Sequence, residues 1–250
     1  MQTKIFAHRG ASKLAPENTM PAFQLAYESG ADGIETDVQL TKDLVPVLIH
    51  DEHLKRTTNG SGYIKDYTFS ELTQLDAGSW FSDEFAGVSI ISLDHFLRWI
   101  KSTSLCINIE LKNNKINYLH LEKAVYEMVD YYRLQDRTIL STFNQHSVKR
   151  MEHFTDIEIA LLTSKGNKNL VSLAKTLGAN ALHIKYRLLK SKLIKQAKQE
   201  NMAVRVYTVN KRTKMMKCFL HHCDGVFTDM PDRGLKYRKV FSFNKNDSHS

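Results

Sequence analysis

His8-Arg9-Gly10 opens the set of residues whose types could do chemistry. A histidine exchanges protons near neutral pH. An arginine presents a fork of donors suited to a phosphate, and the glycine permits a tight turn that brings backbone close to a ligand. The second group is Glu35-Thr36-Asp37. Side chains alternate along a strand, so Glu35 and Asp37 point to one face. Two carboxylates inside a protein repel each other and are costly to bury; a divalent cation between them removes both difficulties. Gly33, Ile34 and Val38 read as a strand buried on both sides rather than one facing solvent. Third is Val47-Leu48-Ile49-His50-Asp51, an apolar run ending in a second histidine. Fourth is Ile107-Asn108-Ile109-Glu110-Leu111-Lys112, where Glu110 and Lys112 share a face. That pair is either a plain ion pair or the third carboxylate and second cation of one site. An all-oxygen ligand set of Glu35, Asp37 and Glu110 favours one hard divalent cation, Mg²⁺ or Ca²⁺. Nothing matches the Cys/His sets of structural zinc.

These groups need elements to position them. Short β-branched, apolar runs fall at 5–8, 33–38, 45–50, 105–111, 138–143, 158–163, 181–186, 203–209 and 225–228. Amphipathic stretches lie between many of them, at 20–28, 119–132 and 188–200 among others. Repeated strand–helix alternation predicts a parallel sheet covered by helices. At this length a closed (β/α)₈ barrel is favoured over an open sheet, with active residues at the C-terminal ends of its strands. Two details strain an ideal eightfold pattern. There are nine strand candidates, and the link from Val38 to Val45 is too short for a helical crossover. Either one candidate lies outside the barrel or two strands are joined by a plain loop. Residues 51–95, with Gly60-Ser61-Gly62, Gly78, Gly87, Tyr63, Tyr67, Trp80 and Phe81, read as an insertion forming a lid or substrate cap. Residues 1–241 are expected to form a single domain, and 242–250 a frayed polar tail.

The chain has 250 residues, a 42% hydrophobic share and a net charge of +8. That suits one large domain with a sizeable core. The charge is uneven: residues 1–125 hold 12 basic and 16 acidic side chains, and the rest hold 23 and 11. Between Lys165 and Lys217 only Glu200 is acidic. A basic half of this kind is a solvated face, or it attracts phosphate-bearing substrates, an anionic membrane surface or nucleic acid. No helix-turn-helix, zinc-finger or aromatic RNA-binding motif is present, so no specific nucleic acid is expected. A non-enzymatic binding module would rest on the basic half alone and bind with a steep salt dependence. Cys106, Cys218 and Cys223 lack metal or redox spacing and read as thiols in a reducing compartment. No secretory leader or bilayer-length apolar run is evident, so a cytoplasmic protein is expected.

The motifs together resemble the glycerophosphodiester phosphodiesterase family. The resemblance starts with His8-Arg9-Gly10, Pro16-Glu17-Asn18-Thr19 and Ala22-Phe23. It continues through Gly33-Ile34-Glu35-Thr36-Asp37-Val38, Thr41-Lys42-Asp43, His50-Asp51, Leu54 and Arg56-Thr57-Thr58. Leu75-Asp76-Ala77-Gly78-Ser79-Trp80-Phe81, Ile109-Glu110-Leu111-Lys112, Ser141, Phe143-Asn144, Thr208-Val209-Asn210, Asp224-Gly225-Val226-Phe227-Thr228-Asp229 and Pro231 complete it. The resemblance implies a barrel with an insertion after the second histidine, a divalent metal on Glu35, Asp37 and Glu110, and His8 and His50 as general acid and base. It implies phosphate contacts from Arg9 and Lys112, and attack by the substrate's own glycerol 2-hydroxyl through a cyclic phosphate. The small-molecule substrate would be a glycerophosphodiester, or, in a lysophospholipase D-type alternative, a lysophospholipid. Two positions depart from the family's pattern. Tyr207 stands near the substrate mouth where the family usually has Trp, and Ile91-Ser92-Leu93 replaces Pro-Thr-Leu.

Overall fold

The computed structural model describes residues 2–246. Its strands are β1 (Lys4–His8), β2 (Gly33–Leu40), β3 (Pro46–Leu48), β4 (Cys106–Leu111), β5 (Thr138–Thr142), β6 (Glu158–Thr163), β7 (Ala181–Lys185), β8 (Ala203–Tyr207) and β9 (Gly225–Thr228). Its α-helices are α1 (Met20–Glu28), α2 (Phe69–Leu72), α3 (Leu93–Ile100), α4 (Leu121–Tyr131), α5 (Gln145–Met151), α6 (Leu170–Thr176), α7 (Ser191–Gln199), α8 (Arg212–Leu220) and α9 (Pro231–Asn246). All strands except β3 pair in parallel, in the order β1-β9-β8-β7-β6-β5-β4-β2, and a β1–β2 pairing closes the ring. The fold is the expected (β/α)₈ barrel.

The ninth strand candidate lies outside the barrel. β2 is buried along its whole length and runs past its partner β4, whose register ends at Val38↔Leu111. Its last three residues, Val38 to Leu40, pair antiparallel with β3. The short link is therefore a hairpin turn. It returns the chain to the barrel rim, where the Ile49 amide donates to the Asp37 carbonyl at 3.1 Å. His50 accordingly sits on a hairpin arm, not at the end of a barrel strand. Antiparallel strands need only a tight turn, whereas a parallel partner would need a crossover.

The segment between β3 and α3 packs around its own small core. Leu54, Ile64, Leu72 and Ile90 are buried there with Val47 and Ile49 of the hairpin arm. Asp76 ties its turns together by accepting from the amides of Gly78, Ser79 and Gly87, each at 2.8 Å. α3 then rejoins the barrel. Its Ser92 cap accepts from the His95 amide, and Leu93, Phe96, Leu97 and Ile100 form its buried face. At the opposite end, α9 runs through Asn246, past Phe241 where a frayed tail is expected to begin. The Phe241 ring packs on Phe219 at 5.5 Å and Ser242 Oγ donates to the Arg238 carbonyl. Residues 247–250 lie outside the described residues.

The loops at the C-terminal ends of β6 and β7 carry the exposed Lys165, Lys168, Lys185, Arg187 and Lys190. The basic half thus presents a rim of positive charge on the face where barrel chemistry is placed. Gly10 shapes that face next to β1. It adopts φ of +81°, and a Cβ there would sit 2.7 Å from the Ala22 carbonyl carbon, so only glycine lets the chain turn this tightly against α1. Cys218 and Cys223 are buried and unbridged. Among the described residues no helix is long and apolar enough to cross a membrane.

Phe23 of α1 is fully buried, with its ring 4.7 Å from that of Phe96. Truncation to Phe23→Ala is expected to cost about 3–5 kcal/mol. At about 2–4 °C per kcal/mol for a chain of this size, thermal melting reads the effect directly. An unchanged midpoint would refute the packing of α1 on α3.

Candidate active site

The parallel registers decide which side chains meet. His8 of β1 is level with Glu35 of β2, and Asp37 of β2 is level with Glu110 of β4. One oxygen from each of Glu35, Asp37 and Glu110 can be chosen so that all lie within 4.8 Å of one another. Lys112, His8, Arg9 and His50 line the same cavity, of about 340 Å³, with Lys185, Tyr207 and Phe143 on its other side. His8, Arg9, Glu35, Asp37, His50, Glu110, Lys112 and Tyr207 are therefore brought together at this one site.

Fixed donors and cations offset the mutual repulsion of the carboxylates. Arg9, in a left-handed conformation with φ of +58°, turns its amide onto Glu35 Oε2 at 2.8 Å. Asn18 Nδ2 donates to Asp37 Oδ2 at 2.9 Å, and Arg9 Nε lies 3.2 Å from the same oxygen. Lys112 Nζ donates to Glu110 Oε1 at 2.7 Å and stands 3.7 Å from Asp37 Oδ1. The Glu–Lys ion pair and the shared site are thus both present. Burial would raise the Asp37 carboxyl, but Arg9 and Lys112 outweigh it and hold the group well below the ordinary range. Glu35 goes the other way: burial and the neighbouring Asp37 charge push it up to about 8. Asp37 Oδ1 is buried and accepts no hydrogen bond from the described residues. A lone buried carboxylate oxygen beside two further carboxylates fits a hard cation, which takes oxygen ligands.

Each histidine leans on a carboxylate. His8 Nδ1 is 2.7 Å from Asp229 Oδ1, and His50 Nδ1 is 2.6 Å from Asp51 Oδ1. A carboxylate only accepts, so each ring donates its Nδ1–H and keeps Nε2 for proton exchange. Burial would lower His8, yet Glu35 and Asp229 raise it above its ordinary value. Asp229 is itself held by Asn210 Nδ2. Burial would raise Asp51, but Arg56 and His50 hold it down to about 2. Arg56 also grips Glu17, and Glu17 accepts from Arg9. Tyr207 Oη is buried and has no hydrogen-bond partner among the described residues, and its ring packs edge-on against Phe143 at 6.0 Å. Burial pushes its phenol up.

Sequence reasoning assigned no role to Glu17, Asn18, Asp51, Arg56, Asn210 or Asp229, although all fall within the motif stretches. Gln39 was missed entirely. It is fully buried, and its Nε2 donates to the carbonyls of Ile49, His50 and Asp51 at 3.2, 3.1 and 2.7 Å. The signal was there: Gln39 lies two residues beyond Asp37, on the face that carries the carboxylates. Its Oε1 accepts from Tyr118 Oη at 3.0 Å, so the amide is itself anchored at one end while the other holds the His50 loop.

The model of the glycerophosphoryl diester phosphodiesterase family matches residues 8–233. The chain is 41% identical over 244 residues to a glycerophosphodiester phosphodiesterase of Bacillus altitudinis, covering 95% of this chain and 98% of that protein. It is 37% identical over 233 residues to one from Caldanaerobacter subterraneus subsp. tengcongensis, covering 93% and 96%. A phosphodiesterase structure from Oleispira antarctica, in complex with the product sn-glycerol-3-phosphate, superposes with a TM-score of 0.86 at 29% identity, covering 94% of this chain and 96% of that one.

Two expectations follow from the geometry. A cation needs Glu35 as the carboxylate, so binding near neutral pH should displace its proton, and apparent Mg²⁺ affinity should rise with pH until about 8. Calorimetry in buffers of differing ionisation enthalpy measures the proton; a release equally large in Glu35→Gln would contradict the assignment. Gln39→Leu should leave the barrel folded but free the His50 loop, lowering kcat about 10²-fold. Wild-type turnover in that variant would remove Gln39 from the positioning of His50.

Proposed function

The chain belongs to the glycerophosphoryl diester phosphodiesterase family, and from that premise we propose that it hydrolyses glycerophosphodiesters to glycerol 3-phosphate and an alcohol, with a divalent cation on Glu35, Asp37 and Glu110. The observation that carries this reading is one cavity holding a three-carboxylate cluster, two carboxylate-backed imidazoles and two cationic side chains. A phosphodiester is an anion whose transition state gathers charge on the phosphoryl oxygens. Bound Mg²⁺ or Ca²⁺ would neutralise part of that charge. Lys112 and the guanidinium of Arg9 add fixed N–H donors on the same side, where they need no reorganisation as charge develops. Tyr207, with an unsatisfied hydroxyl at the cavity wall, contributes a substrate contact.

The substrate carries its own nucleophile. One imidazole Nε2 takes the proton of the glycerol 2-hydroxyl as its oxygen bonds to phosphorus. The other imidazole gives a proton to the departing alcohol oxygen as its bond to phosphorus breaks. Water then attacks phosphorus and its bond to the 2-oxygen breaks, with the two rings exchanging roles: one takes the proton of the water, the other returns a proton to the 2-oxygen, and the added oxygen remains on the phosphate. Because nucleophile and phosphorus belong to one molecule, little association entropy remains to be lost. Asp229 and Asp51 keep each ring in the tautomer that presents Nε2, and each stabilises its ring when it is protonated.

His8→Ala and His50→Ala should each lose about 10²–10⁴-fold in kcat while retaining Mg²⁺ binding by calorimetry. Glu35→Ala, Asp37→Ala and Glu110→Ala should lose both. The assay is release of glycerol 3-phosphate from glycerophosphoethanolamine with Mg²⁺, Ca²⁺ or chelator. Undiminished turnover in excess chelator would sink the metal-dependent reading, and normal turnover by either histidine variant would sink the acid–base pair.

A further inference from the structure

Beneath the carboxylates the cavity has a floor that the chemistry above does not use. Asn108 lies two residues before Glu110 on β4, in register with Glu35, and His183 lies two residues before Lys185 on β7, so each faces the barrel interior one step below its strand's last inward residue at the mouth. They are 1% and 0% exposed, and both line the cavity. Each has one polar atom satisfied within the protein and one without a partner among the described residues. Asn108 Nδ2 donates to Ser141 Oγ at 3.0 Å, whereas Oδ1 accepts nothing. His183 Nε2 lies 3.4 Å from Arg205 Nη1, whereas Nδ1 has no partner.

Arg205 decides which atom of His183 carries the proton. A guanidinium only donates, so Nε2 must offer its lone pair, and a neutral ring then bears its hydrogen on Nδ1. Arg205 is in turn held by both carboxylate oxygens of Glu158, which fixes the arrangement from behind. Burial and the Arg205 charge drive His183 well below its ordinary range, so the ring stays neutral. The floor therefore offers one orphan N–H and one orphan C=O. Leaving such buried groups unmet costs about 1–3 kcal/mol apiece. An alcohol hydroxyl, which accepts once and donates once, is the group whose chemistry matches this pair. A phosphate oxygen has no hydrogen for Asn108, and an ammonium has no lone pair for His183.

We propose that Asn108 Oδ1 and His183 Nδ1–H form a hydroxyl subsite that seats the terminal hydroxyl of the substrate's glycerol, leaving its 2-hydroxyl at the level of the carboxylates and imidazoles. The proposal rests on the diesterase reading and deepens it. The variable alcohol is then placed at the mouth, and the invariant glycerol on the closed floor, between Phe143, Leu162 and Phe227. An acyl group on the terminal oxygen removes the hydrogen that Asn108 needs and adds a chain where the barrel is packed. Lysophospholipids acylated at that oxygen are excluded as good substrates.

The test compares kcat/KM for the ethanolamine phosphodiester of glycerol with that of propane-1,2-diol, which keeps the nucleophile and lacks the terminal hydroxyl. Wild-type protein should favour the glycerol diester by about 10²-fold or more, since a site built to pair a hydroxyl rejects the analogue without it. In His183→Phe and Asn108→Leu, checked for folding by melting, that ratio should collapse toward parity. A purely structural role would slow both substrates and leave the ratio intact. Parity in the wild-type protein overturns the subsite and needs no variant; so does an undiminished ratio in both variants, or lysophosphatidylcholine turned over as well as glycerophosphocholine. Failure to cleave either diester would instead overturn the diesterase reading, and the subsite with it.

Discussion

Three carboxylates converge at one end of a closed sheet, and nearly everything around them answers their mutual repulsion. Buried like charges cannot all ionise without compensation. The compensation is a chain of alternating sign: Asp51, Arg56, Glu17, Arg9, Asp37, Lys112 and Glu110, each within ion-pair reach of the next. The left-handed turn at Arg9, the glycine that follows it and the Asn18 amide all serve this chain locally. Glu35 ends the set with a single backbone donor, and burial together with the Asp37 charge pushes its carboxyl upward.

The two histidines reach the cluster by different routes. His8 ends a barrel strand, and its supporting Asp229 comes from the far end of the chain, brought alongside because β9 closes the ring against β1. His50 arrives on a hairpin arm, with its supporting Asp51 as sequence neighbour and Gln39 clamping the backbone beneath it. One imidazole is thus placed by the closure of the whole barrel, the other by a local fold-back of a single overlong strand. Both end with the same ring nitrogen available, which is what an exchange of acid and base roles between two steps requires.

How far these features were legible in the sequence follows from how local they are. Alternation along a strand was enough to put Glu35 with Asp37, and Glu110 with Lys112, because that relation needs only neighbours in sequence. The clusters at His8 and His50 were legible from their position after apolar runs. The hairpin was visible only as a ninth candidate and a link too short for a crossover, since a three-residue strand carries no periodicity of its own. The Asp229–His8 pair spans 221 residues and depends on ring closure. The tautomer of His183 depends on the β7–β8 register, which sets it level with Arg205. No pattern in one stretch of chain encodes such a relation. Tyr207, picked out only as a departure from a familiar motif, proved to line the cavity with an unmatched hydroxyl.

The lysine-rich loops after β6 and β7 act well beyond contact distance. They set a partial collar of opposite sign on one side of an acidic centre, and a local positive potential draws anions toward the opening. A diester arrives with one negative charge, whereas a phosphomonoester leaves with about −1.5 to −2 at neutral pH. The collar therefore grips what departs more firmly than what enters. Capture and release are set against each other by the same few side chains, and dissolved salt, which screens exposed charge over about 8–10 Å, moves the balance between them.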